Sequence, residues 1–365
     1  MKNNKNKQYL LLIAAAVLLI AIIVFIFTIN LKEDSTAKVG LIITGSVTDD
    51  GWNGMHYQGV KSACESLGVE LIVKENVSEG TGRCAEAIDE LVSEGAGMII
   101  LSSYAYPVEV QETVGKYPEI SFYGISAEYY AENMTSYFGR MYQARYLAGV
   151  VAGMKTESDT IGYVAAMPNS EVNRGINAFT LGVKSVNEDA EVVVVWTDEW
   201  EDEKKELEAA KILMEEKGVD VLTYHQNQHY VAQAADEAGI YSIGYNAVAE
   251  GLSDKYLTAA VWDWNALYCQ IIREYLQGKG NTVKRHWFGI NTGVVALSEY
   301  SALIDEDIIE KIEEAKAEIG EGNDVFSGVI YDNTGKIRCD EGELISDEIL
   351  LEKMDWFVDG VVIYE

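Results

Sequence analysis

The residues of this chain best able to do chemistry are aromatic and amide-bearing, and they recur in one kind of place, just after a short apolar run. The run at 38–44 is followed by Asp50, Trp52 and Asn53, and the run at 97–103 ends at Ser103 and Tyr104. Later runs end near Trp200, at His225 and Asn227, at Asn246, and at Trp262 and Asp263. Flat rings on opposing walls can sandwich a planar heterocycle, while Asn, Asp, Ser and Tyr side chains satisfy the donors and acceptors on its edge. A purine is held in this way, although Trp also stacks on sugars. Each residue has a plainer use as well, since a Trp after a strand often packs between units and an Asp there often caps the next helix. Their convergence points to a ligand cleft. The expected arrangement stacks the ring between Trp52 and Trp200, with edge contacts from Ser103, Tyr104, His225, Asn227, Asn246 and Asp263.

Other chemistries lack their signatures. There is no nucleophile elbow, no phosphate loop ending in Lys-Ser/Thr and no His-Glu-x-x-His, so neither catalysis nor a cofactor is expected. His225 and His229 stand four apart, but the first ends a strand, where helical spacing does not apply, and no metal is expected. Cys64, Cys84, Cys269 and Cys339 show no CxxC spacing and read as buried thiols, with a Cys64–Cys84 bridge open in an oxidising compartment. The 59 acidic and 28 basic residues leave a net charge of −31, which excludes nucleic acid as a partner and disfavours phosphate-rich ligands. The acidic stretches at 199–206 and 305–318 read as solvated helix faces.

The elements that must position these residues follow from hydrophobic periodicity. Apolar strands at 38–44, 69–75, 97–103, 120–126 and 134–140 are separated by helices near 54–67 and 82–94. After a helix at 142–153, a second series begins, with strands at 160–166, 191–197, 219–225, 241–246 and 257–262. Continuous apolar strands joined by helices imply parallel sheets covered on both faces, with ligand residues beyond the C-terminal strand ends. We expect an α/β protein of two doubly wound sheets with a cleft between them. Its first lobe covers 38–155 plus about 265–300 and its second 156–264. The segment 301–365 packs on both.

Ahead of these, Lys2, Lys5 and Lys7 precede an uncharged apolar run from Tyr9 to Ile29. At about 1.5 Å per residue this run can cross roughly 30 Å of hydrocarbon. The flanking lysines orient it with the N-terminus in the cytoplasm and the remainder extracytoplasmic. The expectation is an anchor at the cell membrane formed by residues 1–37. Secretion after cleavage near Ser35 and Ala37 is the alternative.

Four blocks carry a family resemblance: DDGWNGMHYQG (49–59), GRMYQARYLAGVVAG (139–153), IGYVAAMPNSEVNRGINAFTLG (161–182) and VVVVWTDEWEDEKKELEAA (192–210). Together they resemble the basic membrane protein family of ABC-transporter substrate-binding proteins, closest to its purine- and adenine-binding subgroup. The resemblance implies a bilobed type I periplasmic-binding fold, a monomer that captures a purine base or nucleoside, and an ABC permease as partner. It places Asp50 and Asn53 in the first-loop ligand motif and Trp200 where relatives carry a stacking Phe. Asn246 stands where nucleoside-binding relatives have an Asp that grips the ribose, and Trp262 about where they have a Lys. An amide accepts ribose hydroxyls less strongly than a carboxylate, so both departures favour a free base. A membrane-anchored receptor feeding a sensor and a sugar-binding protein of the same fold are the alternative functions.

Overall fold

In the computed structural model, residues 37–49, 51–126, 129–320 and 323–364 are described, and they build two sheets. The first contains β1 (Lys38–Ile42), β2 (Glu70–Lys74), β3 (Met98–Leu101), β4 (Ser121–Ile125), β5 (Met134–Gly139) and β11 (Arg285–Phe288). Their order is β2-β1-β3-β4-β5-β11, with every pairing parallel. The second contains β6 (Thr160–Ala165), β7 (Glu191–Trp196), β8 (Val221–His225), β9 (Tyr241–Asn246), β10 (Tyr256–Trp262), β12 (Val295–Leu297) and β15 (Val361–Ile363). Its order is β15-β7-β6-β8-β9-β10-β12, parallel except for β12, which runs antiparallel to β10. A small hairpin of β13 (Ile330–Tyr331) and β14 (Ile337–Cys339) lies in the C-terminal segment.

The strands are legible because Met98–Leu101 and Val192–Val195 are buried throughout, as strands covered on both faces must be. The cover comes from α1 (Trp52–Leu67), α2 (Arg83–Ser93), the short α3 (Tyr106–Glu109) and α4 (Gln111–Lys116), α5 (Met141–Lys155), α6 (Ser170–Val186), α7 (Glu203–Lys217), α8 (Tyr230–Ala238), α9 (Trp264–Leu276) and α10 (Glu306–Gly320).

Among the described residues the chain crosses between the units three times, after β5, after β10 and between β11 and β12. These crossings correct the expected boundaries. Helix α5, assigned from sequence to the first unit, packs on α6, β10 and β12 of the second. The cause is backbone contact that only glycine permits: a Cβ on Gly149 would stand 2.0 Å from the Phe179 carbonyl oxygen, and one on Gly182 2.0 Å from that of Tyr146. Residues Val295–Leu297, also assigned to the first unit, extend the second sheet, and β15 closes its other edge.

All four cysteines are buried free thiols, so the Cys64–Cys84 bridge is absent, and burial pushes the Cys64 thiol up to about 12. The run from Tyr9 to Ile29 lies outside the described residues. Among the described residues no helix is long and apolar enough to cross a membrane.

Candidate functional site

A cavity of about 1050 Å³ opens between the two sheets. Of the side chains singled out in the sequence, Trp52, Ser103, Tyr104, Trp200, Asn227, Asn246 and Trp262 line it.

Trp52 opens α1, and its indole N–H donates to the Ser102 carbonyl at 2.8 Å, which fixes the ring at the end of β3. It meets His56 edge-on at 4.2 Å and Trp264 at 5.5 Å. Trp264 in turn stacks on Trp262 at 4.7 Å with 15° between planes, and Trp262 leans on Phe138 at 4.9 Å. The result is a continuous aromatic wall running from the first unit to the crossing after β10. Trp262 fits there because β5 ends in Gly139, where a Cβ would come within 2.5 Å of the indole. Ser103 donates to the Glu79 carboxylate.

On the second unit, the backbone N–H of Asn227 donates to the Trp200 carbonyl at 2.9 Å, which ties together the loops after β7 and β8. Asn246 ends β9 at φ 73° and Ser126 follows β4 at φ 46°, both in the left-handed region and both on the cavity wall. Asn visits that region more readily than most residues. Strain of this kind gathers where a ligand site over-determines the backbone.

Three of the described sequence-predicted residues, Asn53, Asp263 and His225, do not join the cavity wall. Asn53 is spent on its own loop: Oδ1 accepts from Thr44 Oγ1 and the Gly45 amide, both at 3.0 Å, and Nδ2 donates to Asp49 at 2.7 Å. Asp263 caps α9, accepting from the Ala266 amide at 2.8 Å, because a short carboxylate before a helix meets the free backbone N–H groups first. His225 is buried behind Tyr245, with ring centroids 4.1 Å apart, and neither ring nitrogen has a partner. Burial, then Arg145 and Arg174 nearby, holds its pKa well below the ordinary value, so it supports the wall as a neutral ring. Asp50 lies outside the described residues.

The structure adds residues that the sequence reading missed. Phe138 stands next to last in β5, Trp287 lies in β11, and Glu171 and Arg174 fall in the first turns of α6 after β6, so the strand-end rule applied to every strand would have found most of them. Leu351 and Glu352 come from a π-helical turn, Ile349–Lys353, and carried no local signal. The charged groups of the cavity are matched. Burial lowers the Arg174 guanidinium and raises the Glu171 carboxyl, each partly offset by the other. Arg285 pairs with Glu352 at 3.9 Å, and His286, 3.0 Å from Glu274, is held below its ordinary pKa by burial. A cavity walled by aromatic rings, edged with amides and balanced in charge can take an uncharged planar molecule.

The family model described as ABC transporter substrate-binding protein, PnrA-like, matches residues 36–325. The chain belongs to this family. It is thus a solute-binding protein and not an enzyme, and membership implies a small-molecule ligand and a permease partner. A purine-binding protein of Brucella abortus is 33% identical over 328 residues, 89% of this chain and 92% of that protein. A putative ABC transporter glucose-binding protein of Haloferax volcanii is 32% identical over 333 residues, covering 90% of this chain and 81% of that one. The crystal structure of a transcriptional activator of the comK gene from Bacillus halodurans matches with a TM-score of 0.71 at 25% identity, over 79% of this chain and 99% of that chain.

Proposed function

We propose that the protein captures an uncharged purine, an adenine-like base in preference to a nucleoside, and delivers it to an ABC permease. The observation that carries this reading is the presence of Trp52, Trp200 and Trp262 around one cavity whose polar rim includes Asn227 and Asn246. A base stacks on such rings with any π-face, and the amides offer both a donor and an acceptor to its edge. Asn246 in place of a carboxylate weakens the grip on a ribose. The likeness to a purine-binding relative supports the same ligand class.

At about 1050 Å³ the cavity lies just above the roughly 300–1,000 Å³ typical of ligand sites, which leaves room for a bilobed type I periplasmic-binding fold to close on its ligand. Rotation of the two units about the three crossings would close it on the ligand. In this reading the protein is a monomer held at the outer face of the cell membrane by the apolar run from Tyr9 to Ile29.

Calorimetry of the full chain in detergent with adenine, guanine, adenosine, inosine and glucose tests the ligand. Adenine should bind more tightly than adenosine and far more tightly than glucose. Binding of glucose with no purine bound below about millimolar would make it a sugar-binding protein instead. A second reading, a membrane-anchored receptor feeding a sensor, draws on the likeness to a transcriptional activator. Adjacent permease and ATPase genes would favour transport and an adjacent kinase gene sensing.

A further inference from the structure

We infer that the C-terminal strap, residues 324–358, completes the ligand cavity, and that Glu352 on it is a specificity-determining residue that keeps phosphorylated ligands out. This rests on the ligand-binding reading above, and it concerns a part of the chain beyond residue 325, where the family match ends.

The strap is seated on the second unit by side chains of one helix, α6. Asn173 donates to the Met354 carbonyl at 2.8 Å and Asn177 to that of Trp356 at 2.9 Å, while Asn177 also accepts from the Val358 amide at 3.0 Å. Arg174 donates to the Leu350 carbonyl at 3.0 Å. Leu350, Met354, Trp356 and Val358 are buried beneath these contacts. The anchoring holds the turn Ile349–Lys353 still and sets Leu351 and Glu352 on the cavity wall.

The strap reaches the first unit through charge. Asp347 takes both arms of Arg140, at 2.9 and 2.8 Å, and Glu352 lies 3.9 Å from Arg285. Arg285 stands on β11 and faces the same cavity as the stacking tryptophans. Tyr130 accepts a hydrogen bond from it, and among the described residues Glu352 is the one carboxylate paired with it. The other arginine of the cavity, Arg174, is answered by Glu171 beside it and by the strap's Leu350 carbonyl. Without Glu352, the guanidinium fork of Arg285 would be left unneutralised at the wall, and that fork suits a phosphate well. Adenosine and its monophosphate share base and sugar, so the ratio of their affinities isolates the phosphate's encounter with Arg285.

The test is calorimetry on the full chain in detergent at low ionic strength, comparing the wild type, Glu352→Gln and the double variant Glu352→Gln/Arg285→Gln. The probes are adenosine, adenosine monophosphate and inorganic phosphate. In Glu352→Gln the affinity of the monophosphate relative to adenosine should rise about two- to fivefold, the scale of one partly exposed ion pair, and inorganic phosphate should gain by a similar factor. The double variant should lose both gains. Unchanged affinities in Glu352→Gln, or gains that persist without Arg285, would overturn the inference. If the wild type binds no purine, the ligand reading fails, and the inorganic phosphate arm still decides the role of Glu352.

Discussion

His56 should make the protein acid-labile by a calculable amount. Its ring is fully buried between Trp52 and Trp264, with Nδ1 2.5 Å from the Tyr268 hydroxyl and Nε2 unpartnered. Burial lowers its pKa from 6.5 to about 3. Below pH 6.5 the unfolded chain therefore takes up a proton that the folded protein refuses. Stability is fully present above 6.5 and falls with pH until about 3. At about 1.36 kcal/mol per pH unit, acidification from pH 7 to pH 5 costs about 2 kcal/mol through this residue alone. His225, also lowered by burial, acts with the same sign, so the wild type should lose more than that. The difference between wild type and His56→Gln isolates the His56 share, because carboxylate effects are common to both. The assay is urea unfolding of residues 37–365 at pH 7 and pH 5. The variant should lose about 2 kcal/mol less than the wild type over this interval. Equal losses would refute the argument.

Three further outcomes are expected. Trp200→Ala should weaken ligand binding by about 1–3 kcal/mol, roughly five- to 150-fold in Kd by calorimetry, the worth of one stacked base; unchanged affinity in a folded variant would remove Trp200 from the site. Asp263→Ala should lower stability by about 1 kcal/mol through the lost cap of α9 while leaving Kd within about twofold, and a much larger change in Kd would make it a ligand contact after all. Glu206→Gln should stabilise the protein by about 1–3 kcal/mol at pH 8 and hardly at all at pH 4, judged by melting temperature. Burial raises this carboxyl from 4.5 to about 7, so its ionisation costs stability as pH rises between those values, while a Gln oxygen can keep the bond from the Asp202 amide.

Much of the scaffold was legible in the sequence. The strand expected at 241–246 is observed as Tyr241–Asn246, and the helix expected at 54–67 as Trp52–Leu67, because uninterrupted apolar runs and helical spacing are local signals. The strand-end rule brought seven of the proposed residues to the cavity, and its incomplete use left out Phe138, Glu171 and Arg174. Asn53 and Asp263 lie off the cavity wall, bonded to their own loop and helix start, because a short polar side chain there has two competing uses, the backbone and the ligand, and the sequence records only the residue type. His225 is buried against Tyr245 and off the cavity wall, since a strand-end position says nothing about which way a ring faces.

The sequence by itself thus determined the two α/β units, the aromatic and amide character of the strand ends and the family to which the chain belongs. Only the tertiary structure decided which polar groups are spent on the backbone and which line the cavity, where α5 packs, and that Leu351 and Glu352 line the cavity too. The reason is range. Periodicity and capping act within one turn or one strand, whereas the strap is held by contacts such as that from Asn173 to Met354, which join residues 181 apart and exist only once the strap has docked on the folded second unit.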